Sequence, residues 1–304
     1  MRIAVTLANL WASPRAPRPV DRRSTAPAPD MSGWLDDMTD QDRLGLCQDK
    51  RLVTQALFNT PVTVLAREGE WARVRVLDQP TGVPARGYPG WLPMAHLATP
   101  SREQGTPYRV TREGATLALD NGTLLPLLFL TRLTVRDMTS ESAHVETPLG
   151  SGTLPTRALM RLDDIADHGP DALLHLARSF MGLRYLWAGN SPLGLDCSGF
   201  THTVFLGRNI KIPRDACDQA RGGDAITPGQ QRPGDLLFFE RPDRKGSLRI
   251  DHVGLYLGDD TLLHAPTNNA HIECQQIEGS RYARELAVVR RYTTGNAASG
   301  CDAL

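Results

Sequence analysis

The sequence lacks an excess of charge of either sign. Its 304 residues include 34 Lys and Arg and 34 Asp and Glu, so the formal net charge is zero. A nucleic-acid-binding protein or a polybasic membrane-surface protein needs an excess of Lys and Arg, so neither partner is expected. No run of about 18 apolar residues occurs, so no transmembrane helix is expected. Because 40% of the residues are hydrophobic, global disorder is not expected either.

The cysteines lack a pairing pattern. There are five of them, and no two form a C-x-x-C pair. An odd, widely spaced set is a poor disulfide framework and a poor zinc site. It is typical of free thiols in a reducing compartment, where a single thiol can do chemistry. The chain start has one basic residue and an interrupted apolar run, unlike a secretory signal, so a cytoplasmic location is expected. The five are Cys47, Cys197, Cys217, Cys274 and Cys301.

The first half of the chain has the pattern of small β-domains. Glycine and proline make up about 16% of the residues, above the average of about 12%. Short strands between turn residues are typical of a small barrel or sandwich, and two such stretches predict two of them. Residues 12–30 are too rich in proline for regular structure to be expected, and residues 31–50 predict a helix. The strands are predicted at 3–11, 62–65, 71–76, 115–119, 123–129, 132–135 and 143–146.

The pattern changes after residue 168. Apolar residues at helical spacing, with Pro170 and Asp171 at the start, predict a helix over 170–180. A second helix is predicted over about 197–207. Helices followed by antiparallel strands predict an α+β domain. These strands are predicted at 235–239, 252–257 and 261–264.

Cys197 lies where a nucleophile would be activated. It begins the second predicted helix, after a loop rich in glycine and proline. The positive end of a helix dipole favours thiolate over thiol, and the thiolate is the nucleophile. A buried structural cysteine is the alternative for Cys197 taken alone. The other four cysteines have no base nearby in the sequence and are expected to be inert.

Two histidines favour the catalytic alternative. His252 lies on an alternating strand, and the Gly-Asp-Asp sequence that follows is a turn signal. A turn centred near residue 259 pairs His252 with Pro266 and puts His264 on its diagonal, roughly 7–8 Å away at Cα. One imidazole then acts as the base for Cys197 while the other orients it.

Six short motifs of the second half occur together and in a familiar order. They are Tyr185-Leu186-Trp187, Asp196-Cys197-Ser198-Gly199-Phe200, Pro213-Arg214-Asp215-Ala216 with Gln219, Pro233-Gly234-Asp235-Leu236-Leu237-Phe238-Phe239, His252-Val253-Gly254-Leu255-Tyr256-Leu257-Gly258 and His264-Ala265-Pro266. Over about residues 170–292 the chain thereby resembles the NlpC-type, papain-like cell-wall peptidases. The resemblance implies that Cys197, His252 and His264 are the catalytic Cys, His and third polar residue. It also implies that Tyr185 helps to polarise the substrate carbonyl.

The preceding region extends this resemblance. Residues 52–64, 71–76 and 87–93 resemble the first bacterial SH3-like domain of γ-D-glutamyl-L-diamino acid endopeptidases, which cut L-Ala-γ-D-Glu from a following diamino acid in muropeptides. The fold implied is α+β, a papain-like NlpC-type peptidase domain preceded by two small all-β SH3-like barrels.

The resemblance further implies a pocket for the free amine of the substrate. Asp215 and Tyr88 would hold this ammonium group, with Asp196 and Ser198 lining the pocket and Trp187 lining the cleft. A buried ammonium needs a paired carboxylate, which agrees with this set.

Two positions depart from the family pattern. Trp187-Ala188-Gly189 stands in place of Trp-Gly-Gly. Asn59-Thr60 stands in place of a Gly-Glu pair in the first barrel, which removes one carboxylate contact to the amine. The insert at about 12–50 is longer than a small barrel needs, and it either wraps the barrel or caps the cleft.

These observations lead to one organisation and one expected function. The first SH3-like domain with its insert is predicted at 1–99, the second at 100–166, the peptidase domain at 167–295 and a tail at 296–304. The expected activity is hydrolysis of the γ-D-glutamyl-L-diamino acid bond of a small muropeptide with a free N-terminal L-Ala, in peptidoglycan turnover and recycling. No metal or cofactor is implied, and the oligomeric state stays open. The alternatives are a non-catalytic wall-binding protein, and an amidase or acyltransferase that uses the same Cys-His-His site.

Overall fold

The computed structural model of the chain describes residues 1–82, 86–99, 104–164, 169–243 and 245–293. They belong to two compact units. The first comprises Met1–Asp78 and Gly87–Ile165, and the second comprises Gln79–Arg86 and Ala166–Leu304. Cys301 and the predicted tail lie outside the described residues. Within those residues, no helix is long and apolar enough to cross a membrane.

The first sheet of the first unit is formed by strands that lie before and after the 12–50 insert, within residues 2–98. They are β1 (Arg2–Ile3), β2 (Leu7–Trp11), β3 (Leu52–Leu57), β4 (Val62–Glu68), β5 (Trp71–Thr81), β6 (Arg86–Pro93) and β7 (Leu97–Ala98). Five of them form a sheet in the order β3-β2-β6-β5-β4, and β1 pairs with β7. Ala72, Val74 and Val76 of β5 are buried at alternate positions, which confirms the period-two strand predicted there. The single strand predicted at 3–11 is interrupted at residues 4–6.

The 12–50 insert is more regular than the sequence suggested. A 3₁₀ turn at Pro19–Asp21 is followed by α1 (Arg22–Thr25), α2 (Met31–Asp37) and α3 (Asp40–Gln48). The prediction that 12–30 has no regular structure is therefore wrong. The reason is Asp21, which is fully buried and accepts hydrogen bonds from Arg18 Nε at 2.8 Å and Trp34 Nε1 at 2.9 Å. A buried carboxylate with two such donors holds a proline-rich segment in one conformation.

The predicted helix at 31–50 is split between α2 and α3. The backbone of Met38 is extended, and Thr39 starts a new helix. Thr39 Oγ1 accepts the Asp42 N–H at 3.1 Å, and the Asp42 carboxylate accepts the Thr39 N–H at 3.0 Å. This reciprocal pair is a capping box, which satisfies two backbone donors at a helix start.

The insert packs on the first sheet of its own unit. The Trp34 ring lies edge-on to the Trp11 ring of β2, with 6.5 Å between centroids. The carbonyl oxygen of Ala26 lies 2.7 Å from Nε2 of His96, which is fully buried. Of the two roles open to the insert, these contacts favour wrapping the barrel.

A second sheet completes the first unit. Its strands are β8 (Thr106–Val110), β9 (Ala115–Leu119), β10 (Leu124–Leu127), β11 (Arg132–Met138), β12 (Ser142–Thr147), β13 (Gly150–Pro155) and β14 (Leu159–Arg161). They lie in the order β10-β9-β13-β12-β11-β8-β14, and each neighbouring pair is antiparallel. Leu117, Leu133, Val145 and Leu154 meet in its core. The four strands predicted here are confirmed. Strands β8 and β13 were missed because proline or glycine interrupts their pattern, and β14 was missed because three residues are too few to show a period.

The second unit has helices first and a sheet afterwards. Its elements are α4 (Gly169–Arg178), β15 (Asn190–Ser191), β16 (Gly194–Leu195), α5 (Cys197–Leu206), α6 (Ala216–Gln219), β17 (Asp224–Ile226), β18 (Leu236–Pro242), β19 (Leu248–Gly258), β20 (Thr261–His264), β21 (Glu273–Gln276), α7 (Arg281–Glu285) and β22 (Leu286–Arg291). Six strands form an antiparallel sheet in the order β17-β22-β18-β19-β20-β21. The two helices and three strands predicted here are confirmed. Helix α5 is buried from Ser198 to Leu206 and packs against β19.

Candidate active site

The site is built around the first turn of α5. Cys197 is the first residue of this helix, and Asp196 is its N-cap, whose carboxylate accepts the Gly199 N–H at 2.6 Å. Asp is one of the side chains that satisfy the free backbone amides of a helix start. Gly199 lies so close to the carbonyl of Gly189 that no Cβ fits between them. The Asp-Cys-Ser-Gly sequence therefore both starts the helix and lets it pack tightly.

A buried arginine holds the residues on both sides of the cysteine. Arg214 is 1% exposed, and its Nη1 and Nη2 donate to the two Asp196 carboxylate oxygens at 3.0 and 2.8 Å. The same guanidinium donates to Ser198 Oγ at 3.0 Å and to the Gly189 carbonyl at 3.2 Å. A buried ion pair is tolerated when hydrogen bonds satisfy both partners, and here they do. Cys197 thus lies between two residues that one guanidinium binds.

Gln219 joins this turn to the segment before α6. It is fully buried, and its Nε2 donates to the carbonyls of Ser198 at 3.1 Å and Pro213 at 2.8 Å. Its Oε1 accepts the Thr201 hydroxyl at 2.8 Å, and its own carbonyl accepts the Tyr292 hydroxyl at 2.7 Å. These bonds make the first turn of α5 a rigid support for the thiol.

Residues 79–82 belong to the second unit and contact the segment around α6. The Pro80 carbonyl accepts the Arg214 N–H at 3.0 Å. Thr81 Oγ1 and the Gly82 N–H both donate to Asp218 Oδ2 at 2.9 Å. The backbone of Arg214 is therefore held as well as its side chain.

His252 and His264 meet across neighbouring strands. The pairs Leu255↔Leu263 and Tyr256↔Leu262 have the register expected for a turn near residue 259. Nε2 of His252 lies 2.7 Å from Nδ1 of His264, so the predicted proximity of the two imidazoles is confirmed. Both side chains are buried. Since Nε2 of His252 is engaged with His264, Nδ1 is the nitrogen through which His252 would act as a base.

The turn between these strands follows from its sequence. Asp259 and Asp260 have φ values of 46° and 55°. Positive φ at both central residues is the property of a type I′ turn, which matches the twist of a hairpin. Asp and Asn are the non-glycine residues that tolerate this region best.

The thiol of Cys197 lies beside the strand that carries His252. A hydrogen bond from the Val253 backbone reaches the thiol, and together with one from Ser198 it lowers the thiol pKa. Burial acts in the opposite direction and is stronger. Burial first, and then the Asp196 carboxylate, raise the pKa of the Cys197 thiol from 9.0 to about 12.

Burial and the Asp196 carboxylate therefore oppose the thiolate that the helix start favours at Cys197. A helix dipole contributes about 0.3–1 kcal/mol, which is less than one pKa unit. Burial and the neighbouring carboxylate shift the pKa of Cys197 by far more. Burial, the His264 charge and the Arg241 and Arg281 charges lower the pKa of His252 well below 6.5. Burial and then Arg281 lower the pKa of His264 to about 4. All three shifts favour the uncharged form of the thiol and of the two imidazoles.

Known proteins match this chain in both of its units. The profile of the NlpC/P60 family matches residues 182–291, and that of the bacterial dipeptidyl-peptidase Sh3 domain matches residues 48–97. The gamma-D-glutamyl-L-lysine dipeptidyl-peptidase of Bacillus subtilis (strain 168) is 36% identical over 288 residues, which are 94% of this chain and 96% of that protein. The chain belongs to the NlpC/P60 family. It is a cysteine peptidase.

A second relative and a crystal structure agree with this NlpC/P60 assignment. The gamma-D-glutamyl-L-lysine dipeptidyl-peptidase of Bacillus cereus (strain ATCC 10987 / NRS 248) is 34% identical over 95% of this chain and 90% of its own length. The crystal structure of an NlpC/P60 family protein from Bacillus cereus ATCC 10987 has a TM-score of 0.88 at 34% identity, and it covers 96% of this chain and 98% of that one. The expected family and the α+β fold with an N-terminal SH3-like domain are thereby confirmed.

The two departures from the NlpC/P60 motifs occur where the backbone favours glycine. Ala188, beside Trp187, has a φ of 59° and is 3% exposed. A residue with a Cβ pays roughly 1–2 kcal/mol in this left-handed region, so the site carries strain. Asn59 has a φ of 62°, which asparagine tolerates better, and its Nδ2 donates to the Arg132 carbonyl at 3.1 Å. Thr60 is buried beside it.

The structure brings some of the predicted site residues together and places others apart. Cys197, Asp196 and Ser198 form one cluster, and His252 and His264 form the pair beside it. Tyr185 is buried, and its N–H donates to the Ala270 carbonyl at 2.9 Å. Trp187 is half-buried. The functional roles of these residues stay predictions.

The two residues proposed to hold the amine lie in different units. Asp215 is half-buried directly before α6, and its side chain does not cap that helix. Tyr88 belongs to β6 of the first unit, where it packs against the core of the first sheet. Neither role is tested by these positions.

Sequence reasoning missed three residues of this NlpC/P60 site. Arg214 and Gln219 belong to one of the six motifs but were assigned no role, because the burial that marks them is visible only in the structure. Tyr282 of α7 packs on both histidines and had no signal, because nothing near it in sequence carries chemistry.

The pKa shifts of Cys197 and His252 lead to a pH prediction. With His252 as the predicted base, its lowered pKa extends the neutral form of the imidazole below the ordinary value of 6.5. We therefore expect kcat/KM to stay level from about pH 8 down past pH 6.5, and to fall only as the histidines become protonated. The raised pKa of Cys197 means that thiol ionisation adds no rise between about pH 7 and pH 9. A pH profile of peptide hydrolysis measures both points, and an acidic midpoint at or above 6.5 would contradict the first.

Proposed function

We propose that this cysteine peptidase hydrolyses the γ-D-glutamyl-L-diamino acid bond of muropeptides whose N-terminal L-Ala is free. The observation that carries the proposal is the 2.7 Å contact between His252 and His264 beside a thiol at a helix start. Two relatives that match nearly the whole chain are gamma-D-glutamyl-L-lysine dipeptidyl-peptidases. Their shared name supports the bond class and the release of a dipeptide.

The proposed reaction begins with attack by the Cys197 sulfur on the γ-carbonyl carbon of D-Glu. His252 removes the thiol proton on Nδ1 as the C–S bond forms, because the neutral thiol is too weak a nucleophile. The carbonyl oxygen becomes an oxyanion. When the C–N bond breaks, the proton passes from His252 to the leaving amine of the diamino acid, and a thioester remains on Cys197.

Water then releases the dipeptide. His252 takes a proton from the water as its oxygen attacks the thioester carbonyl. The C–S bond breaks, and the proton returns from His252 to the Cys197 sulfur. The products are L-Ala-D-Glu and the diamino acid, and the enzyme returns to the neutral thiol and imidazole.

Two groups are proposed to stabilise the oxyanion. The Cys197 N–H lies at the first helical position, where it has no acceptor within the helix. The Tyr185 hydroxyl would be the second donor. His264 keeps the His252 ring in its working tautomer by accepting from Nε2–H.

The proposed amine site relies on Asp215. Asp196 accepts a bidentate hydrogen bond from Arg214, and Ser198 Oγ accepts another from the same guanidinium. Both residues are proposed to line the pocket, and Arg214 already compensates the charge of Asp196. Tyr88 is proposed as the second group that holds the ammonium, and Trp187 is proposed to line the cleft.

The proposed setting is the cytoplasm, in the recycling of peptidoglycan fragments. Zero net charge agrees with a small, already released substrate rather than an intact anionic wall. The proposed organisation keeps the SH3-like domains at 1–99 and 100–166 and the peptidase domain at 167–295.

The test compares L-Ala-γ-D-Glu-L-Lys, its diaminopimelate counterpart and the N-acetylated peptide, with products separated by mass. We expect L-Ala-D-Glu from the free-amine peptides and at least about 100-fold slower cleavage of the acetylated one, because the half-buried Asp215 carboxylate would lose its charged partner. Equal cleavage of the acetylated peptide would refute the amine site. Transfer of the acyl group to an added amine instead of water would identify an acyltransferase. No product from any peptide would favour a wall-binding role.

A further inference from the structure

Tyr282 is the residue of α7 whose ring contacts both His252 and His264. It is 4% exposed. Its ring centroid lies 5.6 Å from that of His252 with an angle of 30° between the rings, and 5.0 Å from that of His264 with an angle of 87°. It therefore stacks on one imidazole and stands perpendicular to the other. A single ring that contacts both members of a hydrogen-bonded pair restricts the rotation of both.

Local structure holds Tyr282 in this position. Ser280 is the N-cap of α7, and its Oγ accepts the Tyr282 N–H at 3.1 Å. The Arg281 guanidinium lies 4.8 Å from the Tyr282 ring centroid, and its Nη2 donates to the Tyr282 hydroxyl at 2.9 Å. The Phe239 ring contacts Tyr282 at 4.9 Å and His252 at 5.9 Å. The imidazole of His252 thus belongs to an aromatic cluster that is itself anchored.

The tautomers of the two histidines show why this cluster matters. His252 can take a proton on Nδ1 only if its own proton is on Nε2, where it donates to Nδ1 of His264. His264 must then carry its proton on Nε2. That nitrogen is buried and has no hydrogen-bond partner among the described residues. The Tyr282 ring is perpendicular to the His264 ring, with 5.0 Å between their centroids, and aromatic rings are weak acceptors of N–H groups.

The Tyr282 ring also lies beside His252 when that imidazole is charged. When His252 takes the thiol proton it becomes an imidazolium in a buried place. Tyr282 and Phe239 both lie within about 6 Å of its centre, the range in which aromatic faces attract cations. The ring of Tyr282 therefore favours both the tautomer that precedes proton transfer and the cation that follows it.

We propose that Tyr282 is a positioning residue for the reaction, and that its aromatic ring holds His252 and His264 in the arrangement that lets His252 act as the base. The inference rests on the proposed function for its activity readout. It extends that function by assigning a role to a residue outside the Cys-His-His set. The hydroxyl of Tyr282 has no part in this role, because it bonds to Arg281.

The test compares an aromatic with two aliphatic replacements. Tyr282→Phe keeps the ring, whereas Tyr282→Leu and the more adaptable Tyr282→Met remove it, so the test does not depend on one variant folding. Val289→Ala is the matched control, because it removes buried volume from the same apolar cluster. We expect kcat to stay within about twofold for Tyr282→Phe and Val289→Ala. It should fall about 10- to 100-fold for the aliphatic variants with little change in KM, since misplacing the base slows the chemical step.

A second readout does not depend on the substrate. In protein labelled with ¹⁵N in histidine, NMR should show both rings as the Nε2–H tautomer, and the aliphatic variants should show a mixture. A normal kcat in a folded aliphatic variant, an equal loss in Val289→Ala, or unchanged tautomers would overturn the inference. If the wild-type protein cleaves none of the peptides but the tautomers change as expected, the proposed function fails while the positioning of the histidines stands.

Discussion

Replacing Cys197 by Ala is expected to lower kcat for L-Ala-γ-D-Glu-L-Lys by at least about 10⁴-fold. Loss of a nucleophile in a catalytic set removes nearly all of the chemical acceleration and leaves only substrate binding and oxyanion stabilisation. The measurement is single-turnover release of L-Ala-D-Glu, with mass spectrometry of the thioester on the wild-type protein.

Cys274→Ala is the matched control for this substitution. Cys274 is an exposed cysteine of the same unit, on β21. We expect it to keep wild-type activity, and both variants to keep the melting temperature within a few degrees, because each change removes a single sulfur atom. Residual activity of Cys197→Ala above about 1% of wild type would contradict the proposed nucleophile.

Replacing Arg214 by Leu is expected to destabilise the second unit by about 3–5 kcal/mol. The change removes the guanidinium from a buried pair and leaves the Asp196 carboxylate with the Gly199 N–H and the Ser198 hydroxyl alone. An uncompensated buried charge costs more than the lost hydrogen bonds themselves. Hydrogen exchange of the α5 amides measures this free energy within the unit, without requiring the whole chain to unfold in one step.

A double-mutant cycle identifies the cause of this loss. Asp196→Asn keeps a side chain that can cap α5, and it removes the buried negative charge. The double variant Asp196→Asn/Arg214→Leu should therefore lose about 1–3 kcal/mol less than the sum of the single variants. The pair of Arg221 and Asp218 at 2.9 Å is the control, because its arginine is 66% exposed. Asp218 keeps its bonds from Thr81 and Gly82, so Arg221→Leu should cost less than about 1 kcal/mol. Additive single effects would show that the ion pair is not what holds the turn.

The fold of the second unit could be predicted to a large extent from local patterns. Helices α4 and α5 and the strands β18, β19 and β20 follow apolar periodicity, and their predicted bounds differ from the observed ones mainly by a few residues at the ends. Periodicity succeeds here because each element buries one continuous face or is wholly buried. It failed for residues 12–30, where the buried Asp21 and its bonds to Arg18 and Trp34 come from contacts between residues up to 13 positions apart.

The candidate site could be located from the sequence but not understood from it. The position of Cys197 at a helix start and the cross-strand register of His252 and His264 both followed from local rules. The state of the thiol did not. The helix dipole, which the sequence reveals, is a small effect, whereas burial, which the sequence does not reveal, raises the pKa of Cys197 to about 12.

The sequence by itself determined the order of the elements, the turn that pairs the two histidines, and the place of the nucleophile. These depend on period, turn residues and capping, which act over a few neighbouring residues. Only the tertiary structure decided which atoms surround the site: the Arg214 guanidinium on Asp196, the Tyr282 ring on both histidines, and the burial that raises the thiol pKa and lowers those of the imidazoles. The physical reason is that charge states and side-chain positions depend on desolvation and on partners brought from distant parts of the chain, and no local pattern records them.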